Sequence, residues 1–339
     1  MKERLKGNPK AKVLSGIAAS IVACSLAFTA LAPQTSGRAL AAESDDIPFK
    51  PTLTTSINDS FEKSNAVVED VLAEGATLLK NNGALPLNAA GAKITVLGKN
   101  SVVPALGGGG SATGSGGGLS DRTTVDFYTS LTNAGFEVNP TVKAFYEDDK
   151  ASGSGVGDYT SFLSLGANGI GTGETAPEAY TDEVKASFKD YNDAAVILLT
   201  RFGGEGFDLP RTSFTEVTIE TFRSSNMYSA LMGMMGNNEE AAFALFCQIS
   251  GVEPNTKGPV EGRTDMNEHY LELDDYEKAL IDMASENFDK VILVLNTGNP
   301  LELKEIEEGD KVDSVLWVGY PGARGFNSVG KIIAGAITP

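Results

Sequence analysis

Three apolar runs set the strongest limit on how this chain folds. Ala194-Ala-Val-Ile-Leu-Leu-Thr200, Lys290-Val-Ile-Leu-Val-Leu-Asn296 and Val312-Asp-Ser-Val-Leu-Trp-Val318 are apolar at successive positions and not at alternate ones. A strand covered on one face alternates polar and apolar residues, whereas a central strand of a parallel sheet is buried on both faces and reads as a continuous run. Lys93-Ile-Thr-Val-Leu-Gly98 adds a fourth, shorter β-branched run bounded by turn residues.

Helical patterns lie between and around these runs. Asp121 to Ala134 reads as a helix stopped by Gly135. Asp274 can cap a helix over Tyr276 to Glu286, with Glu277 three residues on completing a box-like pattern, and Arg324 to Ala334 follows the last run. From Ser60 to Asn81, Val67, Val71 and Leu78 fall on one face with Val68, Leu72 and Leu79 beside them, which predicts an amphipathic helix lying against a sheet. Strands alternating with helices predict an α/β fold, an open, mostly parallel sheet sandwiched by helices. Residues 60–339 are expected to form this domain, with residues 42–59 as a linker and insertions near 151–180 and 223–268.

The first 41 residues carry a different signal. Lys2, Arg4, Lys6, Lys10 and Lys12 precede an uncharged apolar stretch from Val13 to Ala32, and Ala39-Leu40-Ala41 supplies a small-x-small cleavage pattern. A basic segment, an apolar segment and a small-residue site together predict a signal peptide cleaved after Ala41 and a secreted or extracellular protein. Two alternatives remain open: an uncleaved anchor through residues 13–32, and lipidation at Cys24 in Ile21-Val22-Ala23-Cys24. The expected link to a membrane runs through this segment alone.

Charge and residue inventory exclude several functions. Lys and Arg number 27 against 45 Asp and Glu, a formal charge of −18, so a phosphate backbone meets repulsion and no nucleic-acid partner is expected. Neutral sugars are compatible with that field. With His269 as the one histidine and Cys24 and Cys247 as the two cysteines, a Cys/His metal site cannot be assembled. Asp265, Glu268 and His269 read as a solvated polar loop, no metal is assigned and no cofactor is expected. Cys247, within Ala-Leu-Phe-Cys-Gln-Ile, reads as a small buried hydrophobe.

Three groups of segments then carry a resemblance: Glu74-Gly-Ala-Thr-Leu-Leu-Lys-Asn81 with Leu85-Pro-Leu87; Thr200-Arg-Phe-Gly-Gly-Glu-Gly-Phe-Asp208; and Leu295-Asn-Thr-Gly-Asn-Pro-Leu-Glu302 with Leu316-Trp-Val-Gly-Tyr-Pro-Gly322. In order and spacing they resemble the non-barrel α/β domain of glycoside hydrolase family 3, over residues 60 to 339. The resemblance implies a retaining mechanism in which a (β/α)8 barrel supplies an aspartate nucleophile and the sandwich offers the acid/base carboxylate. Glu205 matches the acid/base position of many β-glucosidase-type members. Independently of the family, Glu205 follows directly on a strand, where open α/β sheets place ligands, and flanking glycines let a substrate approach closely. Arg201 and Asp208 are candidate substrate contacts, with bracing of the loop the alternative for both.

The stretch Gly107-Gly-Gly-Gly-Ser-Ala-Thr-Gly-Ser-Gly-Gly-Gly118 lacks the Gly-Lys-Ser/Thr ending of a phosphate loop and is a poor dinucleotide fingerprint. In the family a Gly/Ser-rich loop after the first strand lies beside the active-site rim, which makes Gly109 and Ser111 candidate substrate contacts; a linker is the bland alternative. No second region of the sequence resembles the barrel. Members with the permuted order continue into a barrel beyond the point corresponding to Ile337-Thr-Pro339, so a truncated product or a split enzyme is expected, inactive alone and completed by a barrel in the same gene or on another chain. Two other readings stand beside this one: a catalytically orphaned module that binds glycan or protein, and an exported nucleotide-binding domain resting on the glycine run alone.

Overall fold

A computed structural model describes residues 56–107, 124–148, 151, 153, 172–201, 214–225, 227–250, 254–259, 262–265, 268 and 271–339. The predicted signal or anchor segment, the linker before Ser56 and most of the predicted insertion at 151–180 lie outside these residues. Among the described residues no helix is long and apolar enough to cross a membrane.

The framework is a six-stranded sheet built from β1 (Thr77–Asn81), β2 (Lys93–Leu97), β3 (Glu137–Val138), β4 (Ala194–Thr200), β7 (Val291–Asn296) and β8 (Ser314–Trp317), in the order β1-β8-β7-β4-β2-β3. All neighbours are parallel except β1, which runs antiparallel to β8 at one edge. Along the central strands side chains alternate between two cores. Leu97, Ala195, Ile197, Leu199, Leu293 and Leu295 face one, and Ile94, Val96, Val196, Leu198, Ile292 and Val294 face the other. The burial is complete on both sides, the condition that the continuous apolar runs anticipated.

Helices close each face. The first core is covered by α3 (Pro140–Glu147), α4 (Asp182–Ser187), α8 (Asp275–Asn287) and the short α9 (Lys304–Glu308). On the other face α10 (Gly322–Ile333) packs between α1 (Ile57–Gly75) and α2 (Phe127–Asn133), where Phe326 meets Phe127 at 5.6 Å between ring centroids. Two predicted boundaries follow their local chemistry closely. Asp274 and Glu277 form a reciprocal capping box at the start of α8, and Gly135, at φ +102°, ends the turn after α2.

The predicted helix over residues 60–81 is corrected. The helix stops at Gly75, and Thr77–Asn81 form the edge strand β1. Leu72 is buried, but Val67 and Val71 stay 60% and 66% exposed, so the apolar stripe read from the sequence is not the face laid on the fold. That face is fixed instead by Glu69, whose carboxylate takes Lys331 at 2.8 Å and whose carbonyl accepts from Ser328 Oγ. Periodicity could not separate a continuing helix from a turn into a short strand, because Leu78 and Leu79 suit either.

The insertion predicted at 223–268 has its own architecture. An antiparallel ribbon pairs β5 (Phe214–Val217) with β6 (Thr256–Pro259), and between them lie α5 (Ile219–Ser224), α6 (Tyr228–Met234) and α7 (Glu239–Ser250). Phe222, Leu231, Ala242 and Leu245 form a separate small core, against which Met227, Met232 and Met235 pack, while Met234 is 49% exposed. Most of the methionine patch is therefore packing. Cys247 is buried here, as a small hydrophobe would be.

Candidate active site

The sheet order places β2 and β4 side by side, while the chain leaves β2 towards β3 on one side and β4 towards β7 on the other. At such a reversal the loops at the carboxyl ends of the two strands diverge and leave a crevice, the general ligand position of open α/β sheets. The loop after β2 leads into the glycine-rich stretch, and the loop after β4 leads to Glu205. The two segments singled out from the sequence thus spring from adjacent strands. Glu205, Asp208, Gly109 and Ser111 themselves lie outside the described residues, as does His269.

The root of the first loop is built without slack. Gly98 sits at φ +100°, and a Cβ there would stand 2.5 Å from the Leu198 carbonyl oxygen, so only glycine passes this point. Its N–H donates to the Tyr146 hydroxyl at 2.9 Å, and the N–H of Lys99 donates to Glu174. Further along, Asn296 at the carboxyl end of β7 accepts from the Ala105 N–H at 2.8 Å and donates to the carbonyls of Ala105 at 2.9 Å and Gly319 at 2.7 Å. One buried amide therefore ties the approach to the glycine-rich stretch to the turn after β8.

The root of the second loop is Arg201, with no exposed surface. Its Nη1 and Nη2 donate to the two carboxylate oxygens of Glu277, Nη2 also donates to the Glu272 carbonyl at 3.0 Å, and the Tyr320 hydroxyl donates to the Arg201 carbonyl at 3.1 Å. The guanidinium is turned into the protein, so the described geometry displays bracing, the alternative to sugar contact. Gly298 makes room for Tyr320, since a Cβ there would stand 2.5 Å from its ring.

Beneath these roots lies a buried group of acids, of which the sequence reading placed Asp274 and Glu277 at a helix start but missed Glu174. Glu174 is 2% exposed, and burial pushes its carboxyl up to about 8 although Thr175 and Lys99 donate their N–H groups to it. Asp274 is pushed up to about 7, by burial first and then by the charge of Glu277, with Arg201 and Thr172 opposing. The Tyr146 and Tyr180 hydroxyls meet at 2.6 Å, and burial raises both phenols well above their ordinary range. Glu174 follows directly on Gly171-Thr-Gly173 at the end of a Gly/Ser/Thr-rich stretch, so its immediate neighbours do not mark it as interior. Asn296 and Tyr320 did carry a signal: each is a polar side chain at the end of a buried run. Among the described residues no group of three or more His, Cys, Asp and Glu is placed to hold a metal ion; Glu268 instead pairs with Lys278 at 2.8 Å.

An open, mostly parallel α/β sandwich with two candidate-bearing loops rooted across its strand-order reversal defines the class of domain. Residues 76–339 match the model of the glycosyl hydrolase family 3 C-terminal domain, and the chain belongs to that family. It is 25% identical over 282 residues to a β-glucosidase of Ruminococcus albus and 22% identical over 276 residues to β-glucosidase A of Butyrivibrio fibrisolvens, covering 83% and 80% of this chain. It spans only 22% and 27% of the length of those two relatives. Among solved structures, a β-glucosidase from Paenibacillus barengoltzii superposes with a TM-score of 0.53 at 20% identity, over 86% of this chain and 24% of its own. β-Glucosidase 3B from Thermotoga neapolitana, in complex with glucose, gives 0.51 at 22% identity, over 82% and 30%. These superpositions show the sandwich fold.

Proposed function

We propose that this domain supplies the acid/base carboxylate, Glu205, for hydrolysis of β-linked O-glycosides, and that a (β/α)8 barrel in the same gene or on another chain supplies the nucleophile. The observation that carries the reading is that β4, which ends next to the buried Arg201 four positions before Glu205 in the sequence, is one of the two strands at the strand-order reversal. Membership of the family and the names of the relatives support the substrate class. The segments matched are those of the sandwich alone, and retaining hydrolysis requires a second carboxylate about 5 to 5.5 Å from the first.

In that scheme protonated Glu205 gives its proton to the glycosidic oxygen as the bond to the anomeric carbon breaks and the barrel's carboxylate attacks that carbon. Glu205, now ionised, takes a proton from the water that releases the sugar. Asp208, Gly109 and Ser111 are the candidate sugar contacts, and Arg201 anchors the end of β4, from which the chain leads on to Glu205.

The test compares the chain from Ala42 onward with the same chain joined to a barrel. The first is expected to fold and leave aryl β-glycosides intact, and the second to hydrolyse them. In the joined enzyme Glu205→Ala should slow an alkyl glycoside by about 10² to 10⁴-fold. An activated nitrophenyl glycoside needs little protonation, so its first step should suffer less, and added azide should restore turnover with a glycosyl azide of retained configuration. Equal loss on both substrates with no rescue by azide, in a folded variant, would make Glu205 structural.

A further inference from the structure

Residues 172–175 join two parts of the fold that lie far apart in sequence, the turn after β2 and the start of α8. On the first side Glu174 Oε1 accepts from the Lys99 N–H at 2.9 Å and from the Thr175 N–H at 2.7 Å, while Oε2 shares the Lys99 N–H at 3.0 Å. The Asn100 side chain donates to the Thr172 carbonyl at 3.2 Å. On the second side the Thr172 hydroxyl donates to Asp274 Oδ2 and accepts from the Glu174 N–H at 3.3 Å. Gly153 lies so close behind that a Cβ there would stand 2.4 Å from the Gly173 carbonyl oxygen.

The join is crowded with acids. Glu174, Asp274 and Glu277 are all buried. Among the described groups around them, Arg201 beyond the end of β4 gives Nη1 and Nη2 to the two carboxylate oxygens of Glu277, and Arg263 stands 3.6 Å from Glu268. Lys99 turns its Nζ to the Tyr146 carbonyl at 2.8 Å, and Tyr146 of α3 and Tyr180 bring phenols that burial keeps neutral. A carboxylate that has lost its hydration and has no cation of its own is costly, and the usual relief is to keep the proton. Glu174 has an oxygen for it: with the proton on Oε2, Oε1 still accepts both N–H groups as a carbonyl oxygen. Burial first, and then the charges of Glu277 and Asp274, push this carboxyl up to about 8 against the N–H bonds of Thr175 and Lys99.

We propose that Glu174 is a pH-sensitive latch: with its proton on, the carboxyl closes residues 172–175 onto the turn after β2 and the start of α8, and with the proton lost the join opens. Ionisation adds a negative charge beside Asp274 and Glu277, and opening relieves it by letting water reach the carboxylate. The sign follows from the two states. In the opened state the carboxyl returns to its ordinary 4.5, so closure is fully favoured below that, weakens as pH rises from there to about 8, and weakens no further above. The latch stands whether or not Glu205 is the acid/base.

The test is hydrogen–deuterium exchange of the full chain, expressed as protection factors so that the intrinsic pH dependence of exchange drops out. The amides of Lys99 and Thr175, which donate to Glu174, are the reporters. Their protection should fall about 10 to 10²-fold between pH 6 and 8, and at pH 8 it should lie well below that of the central strands Ala194–Thr200 and Val291–Asn296. Glu174→Gln keeps a carbonyl oxygen for both N–H groups and cannot ionise, so its protection should stay nearly constant over the same range. An equal fall in wild type and Glu174→Gln overturns the latch, and so does no fall in the wild type. Equal protection at the reporters and the central strands also overturns it, because exchange would then report global unfolding. If Glu174→Gln does not fold, Asp274→Asn, which keeps the helix cap and removes one repelling charge, carries the comparison: the fall should shrink, and an unaltered fall overturns the latch.

Discussion

Arg201 and Glu277 form a two-point ion pair between the carboxyl end of β4 and the first turn of α8, with side chains 0% and 1% exposed. Neither charge has water to fall back on, so each depends on the other. Removing one partner of a buried pair leaves an uncompensated charge and typically costs about 3 to 5 kcal/mol, whereas replacing both with apolar groups costs far less. Glu277→Ala is therefore expected to lower the urea midpoint severely, and the double change Arg201→Met with Glu277→Leu to be less damaging than that single one. A loss under about 1 kcal/mol in Glu277→Ala would show that the pair does not hold the sheet to α8.

Glu174 and Asp274 predict a pH dependence opposite to that of a salt-bridged acid. Their folded-state values, about 8 and about 7, lie above the ordinary 4.5 and 3.8, so the folded chain keeps protons that the unfolded chain has already released. The stability they allow is fully present below about 4, declines as pH rises through the window between the ordinary and the raised values, and levels off above about 8. Denaturant midpoints measured from pH 5 to 9 should fall with pH in the wild type and fall less in Glu174→Gln. Parallel curves for the two proteins would remove Glu174 from this account.

Gly330 and Gly233 are both helical glycines, and helix propensity alone favours alanine at each by about 1 kcal/mol. At Gly330 the crossing of α10 and α2 leaves no space: a Cβ would press on the Ser130 carbonyl and stand 2.6 Å from its hydroxyl oxygen. At Gly233 in α6 a Cβ meets nothing within 4 Å. Gly330→Ala should therefore destabilise by about 1 to 3 kcal/mol, as overpacking does, and Gly233→Ala should be neutral or stabilising. Two thermal melts suffice, and stabilisation by Gly330→Ala would mean that the helices do not cross this closely.

The sequence by itself determined the sheet class and most of the central elements. A run such as Val291–Asn296 has one low-energy use in water, burial on both faces, and the Asp274–Glu277 box states its own helix start in four residues. It also determined the family and singled out Glu205, because a carboxylate among glycines after a buried strand is a local pattern. Local signals misplaced the chain around Gly75, where apolar residues suit either a helix or an edge strand and only pairing with β8 chooses the strand.

What only the tertiary structure decided is where the side chains of the site roots point and what holds them. Arg201 reads in sequence as a charged residue beside a glycine-rich loop, ready for a ligand; its partners Glu277 and Glu272 lie more than seventy positions away, and only the packing of α8 on β4 turns the guanidinium inward. Glu174 and Asn296 are polar letters whose burial follows from elements brought together from the whole chain. Hydrophobic periodicity is a property of neighbours in sequence. Burying a charge or an amide depends on partners distant in sequence, and those exist only once the sheet has formed.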